Sequence, residues 1–398
     1  MPIGFLITAG LVALGMLTSC WPPSRSGVLG VITWLLSALP NESPFLVLYW
    51  MAASTGVAAS ENDLHGPGVW AAVGLVACSF AATPVLLRRA LGARAAIELA
   101  FDRSLGSGWR LAGRGSALAG PRPWPRIVLA PIPLFHRGVR RISSLRYGDA
   151  GRRNRLDLYR RRATGDSGQP VLIHLHGGGF ALAPGRKSFY ARRLLFRLAR
   201  SGWVCISATY RLAPSAVFPD ELVDVKKVIA WARSHASEYG GDPDRIVLVG
   251  SSYGAGLATL AGFTANDPAF QPGFEHVDTS VAAIVGLYGY YGAAAVPPAP
   301  PVSPFDYATR GSAPLLVVHG DQDTLTAAST ARALAERAAD ASANPVVYVE
   351  LPGAQHSFDL LCSIRFEEVI DAIEVFTLTT APLREPTSPV GAVATQRS

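Results

Sequence analysis

The sequence predicts an α/β fold: a mostly parallel central sheet flanked by helices, preceded by an N-terminal helical region suited to a membrane. Three observations predict it. Apolar, β-branched runs alternate with helical patterns from about residue 171 to 376. Long charge-free apolar stretches crowd into the first 88 residues. One stretch, Arg245-Ile-Val-Leu-Val-Gly-Ser-Ser-Tyr-Gly-Ala-Gly256, reads as a buried strand that stops at a glycine and turns straight into a helix.

The apolar stretches come first in the chain. Residues 3–18 and 69–87 each approach the ~20 apolar residues that a bilayer core requires, and the second ends at Arg88-Arg89. Between them, 28–39 and 45–59 are separated by Pro40-Asn-Glu-Ser-Pro44. Together they make one span only if the proline-flanked break is a kink within it. Three spans are therefore expected in residues 1–88, with two or four as the alternatives. No positive segment precedes Ile3, so a cleaved signal peptide is not expected. Arg25 precedes the second span, no Lys or Arg lies in the link before the third, and arginines crowd the chain after it. By the positive-inside rule the N-terminus lies outside and the rest of the chain in the cytoplasm.

Composition agrees with this division. The chain is 49% hydrophobic and only 16% charged, and its mean hydropathy of +0.25 is high for a soluble enzyme. The net charge of +7 comes almost wholly from arginine. Because the arginines abut the apolar region and few aromatics interleave with them, they read as a juxtamembrane basic segment, not as a nucleic-acid surface. Cys20, Cys78, Cys205 and Cys362 lack metal-type spacing and sit in apolar contexts, which suggests small buried hydrophobes. No metal or organic cofactor is implied, and no obligate protein partner.

Residues 89–140 mix short amphipathic pieces with Gly and Pro and read as a basic linker with one or two helices that could cap a site. A strand pair is expected over 141–146 and 155–159. Strands follow at 171–175, 204–208, 246–249, 281–287, 314–318 and 346–351, with helices at 189–199, 220–235, 255–261, 327–338 and 366–376. Residues 141–380 thus form the α/β domain, and the Pro/Thr/Ser-rich 381–398 a disordered tail.

The chemistry collects at strand ends. Gly250-Ser251-Ser252-Tyr253-Gly254 fits a strand-turn-helix corner that holds Ser252 exposed in a strained conformation, with a helix N-terminus behind it. His176-Gly177-Gly178-Gly179-Phe180 closes the strand at 171–175, and successive glycines let backbone N–H groups turn toward one point, as an oxyanion hole requires. Gly320-Asp321-Gln322-Asp323 follows another strand. Asp323 is the preferred acid for orienting an imidazole, and Asp321 the turn former. Of the eight histidines, only His356 follows the last strand, beyond both Ser252 and Asp323. Ser, then Asp, then His is the chain order of a nucleophile, its orienting acid and its base on such a sheet.

With these residues in view, the stretch from about 171 to 376 resembles the hormone-sensitive-lipase family of α/β-hydrolase carboxylesterases. The resemblance rests on His176-Gly-Gly-Gly-Phe180, Tyr210-Arg-Leu-Ala-Pro214, Trp231, Gly240-Gly-Asp-Pro-Asp-Arg245, the serine corner, Gly320-Asp-Gln-Asp323 and His356. The preceding spans, with residues 266–274 and 351–356, make it similar to membrane-anchored actinobacterial esterases of that family. The family implies the α/β-hydrolase fold and hydrolysis of small-molecule or lipid esters through an acyl-serine. In that scheme Ser252 is the nucleophile, His356 the base, Asp323 its partner, and the N–H groups of Gly178, Gly179 and Tyr253 hold the oxyanion, with Gly177 able to share the role. Two other functions share these features: an amidase or peptidase on the same fold, and a non-catalytic α/β-hydrolase-like binding protein. The sequence departs from the family at the corner, where Ser251 replaces an acid and Tyr253 an alanine. The short Pro-rich segment between 287 and 314 suggests a trimmed cap.

Overall fold

The computed structural model describes residues 3–23, 27–62, 64–65, 68–112, 121–134, 136–163, 165, 167–178, 187, 190–214, 216–292 and 302–381. Gly179, Arg25, residues 293–301 of the segment between 287 and 314, and the tail from 382 lie outside the described residues.

Four helices open the chain: α1 (Ile3–Cys20), α2 (Gly27–Glu42), α3 (Pro44–Ser60) and α4 (Gly68–Leu91). Helix α1 and the 68–105 stretch are each long and apolar enough to cross a membrane, and the bent pair α2–α3 would make a third candidate if counted as one span. The bend between α2 and α3 is 92°. It falls at Ser43, where a residue preceding a proline is steered out of the α region. Pro40 itself stays inside α2.

Helices α1, α3 and α4 lie side by side. Met16, Val47 and Leu86 cluster at one end, and Phe5, Ala58 and Ala72 at the other. Helices α1 and α4 are therefore parallel, and α3 runs against both. Cys78, expected to be buried, instead faces outward from α4, whereas Cys20, Cys205 and Cys362 are buried as expected.

The rest is built on one eight-stranded sheet: β1 (Val139–Arg146), β2 (Arg155–Arg161), β3 (Gln169–Leu175), β4 (Val204–Thr209), β5 (Gly241–Ser251), β6 (Ala283–Leu287), β7 (Leu315–Gly320) and β8 (Val346–Leu351). Their spatial order is β1-β2-β4-β3-β5-β6-β7-β8. Strand β2 pairs antiparallel with β1 and with β4, and all later pairs are parallel.

Strands β3 to β7 carry buried, largely apolar runs because both faces are covered, while β8 at the edge alternates buried with half-buried residues. Alternate residues serve the two cores. Ile173, Leu248 and Val317 face one core, with α9 (Asp220–His235), α10 (Tyr253–Phe263) and α11 (Ala328–Ala341) packed against it. Leu172, Val247 and Leu316 face the other, under α8 (Arg192–Arg200) and α12 (Ile364–Thr380). Helix α5 (Ala93–Leu105) lies in the stretch read as linker or cap. It buries Ile97 and Phe101 in this second core instead. The short α6 (Trp109–Ala112) and α7 (Trp124–Leu129) follow it.

Arginines near this cover pair with the acids of α12. Arg94 and Arg122 bind the buried Glu368, while Arg193 and Arg197 bind Glu367, and Arg197 also Asp371. These four arginines are thus held in internal ion pairs.

Candidate active site

Parallel strands put their carboxyl ends on one edge, and the connections reverse direction between β3 and β5. A crevice forms at such a switch point. Ser252 follows β5 and stands in that crevice beside Gly177, which follows β3. Ser252 has φ 55° and ψ −121°, the strained backbone that its flanking glycines permit. A Cβ on Gly250 would sit 2.1 Å from the Gly254 oxygen, and one on Gly254 would sit 2.4 Å from the Leu175 oxygen. No side chain fits at either position, so the strand, corner and helix must close on bare backbone.

Ser252 Oγ lies 3.0 Å from His356 Nε2. His356 Nδ1 lies 2.7 Å from Asp323 Oδ2. The three residues reach the edge from the loops after β5, β7 and β8. Asp323 is buried. Its Oδ1 accepts from Leu325 N (2.8 Å) and Thr326 N (2.9 Å), and its Oδ2 accepts from Thr326 Oγ1 (2.9 Å). Burial raises its pKa, but the adjacent His356 and hydrogen bonds from His319 and His356 outweigh this and hold it well below the usual carboxylate range. Asp321 plays a different part: its Oδ1 accepts from Gly353 N at 2.7 Å, tying two turns together.

The imidazole of His356 is also fixed by packing. The Tyr288 ring meets it edge-on, with centroids 4.6 Å apart. Trp34 of α2 approaches at 6.5 Å and 83°, and its Nε1–H donates to the His356 carbonyl at 3.2 Å. Gln355 Oε1 accepts from both Thr324 N and His356 N, which staples the aspartate and histidine loops to each other.

Gly177 and Gly178 border the same crevice. A Cβ on Gly177 would lie 3.0 Å from Ser252 Cβ, and Gly178 has φ 141°. Tyr253 opens α10, so its N–H is one of the helix's first-turn donors. Its phenol turns away from the serine and donates to Glu221 Oε1 of α9 at 2.7 Å. The bulk that the sequence places beside Ser252 is therefore drawn aside. His176, next to the glycines, is buried and stacks on Tyr210, and burial pushes its pKa down to about 4.

Sequence reasoning missed a buried network directly behind the serine. Asp359 Oδ2 accepts from Ser251 Oγ at 2.7 Å, and its Oδ1 accepts from the Tyr288 hydroxyl. His174 Nε2 lies 3.0 Å from the same Ser251 hydroxyl. Burial pushes Asp359 up to about 6 and His174 down to about 3. The signal was available: Ser251 stands where the family carries an acid, and a carboxylate from the histidine loop reaches that place from outside the corner. Thr326 and Trp34 carried no comparable signal.

This arrangement can pass a proton from a hydroxyl to an imidazole braced by a buried carboxylate, beside backbone donors. The chain as a whole is similar to known proteins. The model of the family described as BD-FAE matches residues 156–297. The probable carboxylic ester hydrolase LipM of Mycobacterium tuberculosis is 32% identical over 94% of this chain and 92% of its own length. Esterase LipQ of the same organism is 36% identical over 62% of this chain and 65% of its own. Among solved structures, esterase 2 of Thermogutta terrifontis covers 64% of this chain and 99% of its own, with TM-score 0.52 and 23% identity, a likeness of fold. On these likenesses, and on motifs that run the length of the sheet, the chain belongs to the hormone-sensitive-lipase family of α/β-hydrolases and is a carboxylic ester hydrolase.

Proposed function

We propose that the chain is a membrane-anchored serine esterase that works through an acyl-Ser252 intermediate. The observation that carries this reading is the unbroken relay from Ser252 Oγ to His356 to Asp323, at 3.0 and 2.7 Å. As Ser252 Oγ attacks the ester carbonyl, its proton moves to His356 Nε2 and the carbonyl electrons move onto oxygen. Backbone N–H groups of Gly178, Gly179 and Tyr253, with Gly177 beside them, stabilise that oxyanion. Each such donor is worth about 100- to 1,000-fold in rate. Collapse expels the alcohol, which takes the proton from His356. Water, deprotonated by the same imidazole, then releases the acid and restores the serine. Asp323 keeps His356 oriented and balances its charge while it is protonated.

Anchoring is supported by the apolar lengths of α1 and α4 and by the bundle they form with α3. Arg88 and Arg89 at the end of α4 favour a cytoplasmic position for the sheet. A C-terminal alkaline phosphatase fusion that is active in the cell envelope would refute that orientation. For the chemistry, the test is labelling by a fluorophosphonate together with hydrolysis of a short p-nitrophenyl ester. Wild type should label and turn over, and Ser252→Ala should do neither. Equal turnover by the two proteins would refute the acyl-serine reading.

A further inference from the structure

Helix α2 has two unlike faces. One is buried and largely polar, with Gly30, Thr33, Ser37 and Asn41 recurring at three- and four-residue spacing. This edge is bonded into the two loops that bear Asp323 and His356. Thr324 Oγ1 donates to the Gly30 carbonyl at 2.9 Å, and Gln355 Nε2 donates to Ser37 Oγ at 3.3 Å. Trp34 holds the His356 carbonyl, and Asn41 Nδ2 donates to that of Gly353 at 2.6 Å. At the C-terminal end, Arg365 Nη1 donates to Asn41 O and Glu42 Oε1, both at 2.9 Å. The other face is apolar and bare: Val28, Ile32, Leu35 and Leu39 form one stripe, 44–77% exposed.

The surroundings say what covers that stripe. Helix α2 is bent 92° away from α3. It lies at the end of the α1/α3/α4 bundle where Arg89 Nη1 donates to the Cys20 carbonyl. There Ser19 Oγ also donates to the Ser37 carbonyl. At ~1.5 Å per residue its 16 residues reach about 24 Å, which by itself does not set it apart from α3. Spanning would carry the buried Thr33, Ser37 and Asn41 to hydrocarbon depth and pull Ser37 and Asn41 from the loop they hold. Helix α3, with 17 residues, is of similar length but has no such polar edge tied to the sheet. If the bundle crosses the bilayer, α2 lies across its end, in the plane of the surface.

We propose that α2 is an interfacial helix whose partner is the lipid surface. Its Val28/Ile32/Leu35/Leu39 stripe dips into the headgroup–acyl boundary. Its polar edge holds the aspartate and histidine loops, so the reacting imidazole sits at the membrane and faces esters dissolved there. The proposal rests on the membrane-anchored esterase reading and assigns the three spans to α1, α3 and α4.

The test uses the full chain in phosphatidylcholine/phosphatidylglycerol nanodiscs. The background carries Cys78→Ala, since the other three cysteines are buried. Single cysteines replace Val28, Ile32, Leu35 or Leu39 on α2, and Tyr49, Trp50 or Val57 on α3. Each is nitroxide-labelled, and its depth is read from collision with oxygen against a nickel chelate. The α2 labels should share one shallow depth, while the α3 labels should change depth steeply along the helix. Depth that varies along α2 as it does along α3 overturns the proposal, because α2 then spans. Aqueous α2 labels with α3 labels in hydrocarbon overturn it as well. Aqueous labels on both helices overturn the anchoring reading on which it stands. In the same nanodiscs, Leu35→Glu should selectively lose turnover of a long-chain ester carried in the bilayer and keep turnover of a short soluble one. An equal change in both, or none, counts against the proposal.

Discussion

Asp323→Asn isolates the part of the proposed relay that does not touch substrate. Asp323 Oδ1 is claimed by two backbone donors, Leu325 N and Thr326 N. The asparagine must therefore keep its carbonyl oxygen on that side. Its NH2 then takes the place of Oδ2, facing His356 Nδ1 and the Thr326 hydroxyl. His356 now meets a donor where it met an acceptor. It turns to the tautomer protonated on Nε2, which leaves no lone pair to receive the Ser252 proton. The wrong tautomer in such a triad costs about 10⁴-fold in kcat, or about 5 kcal/mol at ~1.36 kcal/mol per decade. KM should hold, because Asp323 lies behind the imidazole. The assay is steady-state hydrolysis of a short p-nitrophenyl ester, with a thermal melt to show that the variant is folded. Asp321→Asn is the matched control: an amide oxygen can still accept from Gly353 N, so activity should stay at the wild-type level. A folded Asp323→Asn that keeps more than about a tenth of kcat would refute the reasoning.

Three other substitutions probe the frame around the relay. Asp359, raised to about 6 in the fold, binds a proton there more readily than in the unfolded chain, where its pKa is ~3.9. Its stabilising contribution is thus fully present below about 4 and lost as pH rises through 6. The melting-temperature gap between wild type and Asp359→Asn should shift in favour of wild type from pH 7 down to 4, and a constant gap would contradict this. Gly254→Ala drives a methyl onto two backbone oxygens, at 2.4 and 2.5 Å. It should cost about 3 kcal/mol or more, read as loss of folded yield, and a normal melt would refute the tight corner. Trp34→Phe keeps an aromatic edge near His356 but loses the hydrogen bond to its carbonyl. A loss of about two- to tenfold in kcat is expected, and unchanged kcat would mean that α2 does not position the histidine loop.

The division between what was legible and what was not follows the range of the forces involved. Strand and helix order could be read because burial on two faces demands continuous apolar runs, as in Ile246-Val-Leu-Val249, and helices demand their own period. The corner at Ser252 could be read because Gly250 and Gly254 record a steric demand within five residues. Even α5, whose apolar period is visible, could not be placed, since sequence does not say which surface a helix covers. The carboxylates were separable in part: Asp323 was preferred to Asp321 as the partner of the imidazole, and the loop geometry turns Asp323 toward His356 and Asp321 toward Gly353.

By itself the sequence determined the family, the sheet-and-helix order and the residue types at each strand end, because those are set by local sterics and by periodic burial. Only the tertiary structure decided that Asp359 reaches Ser251, that the Tyr253 phenol swings to Glu221, and that an apolar N-terminal helix presents a polar edge to the histidine loop. Each of these joins residues from 32 to more than 300 positions apart. Such contacts depend on how whole elements pack, and no short window of sequence records that.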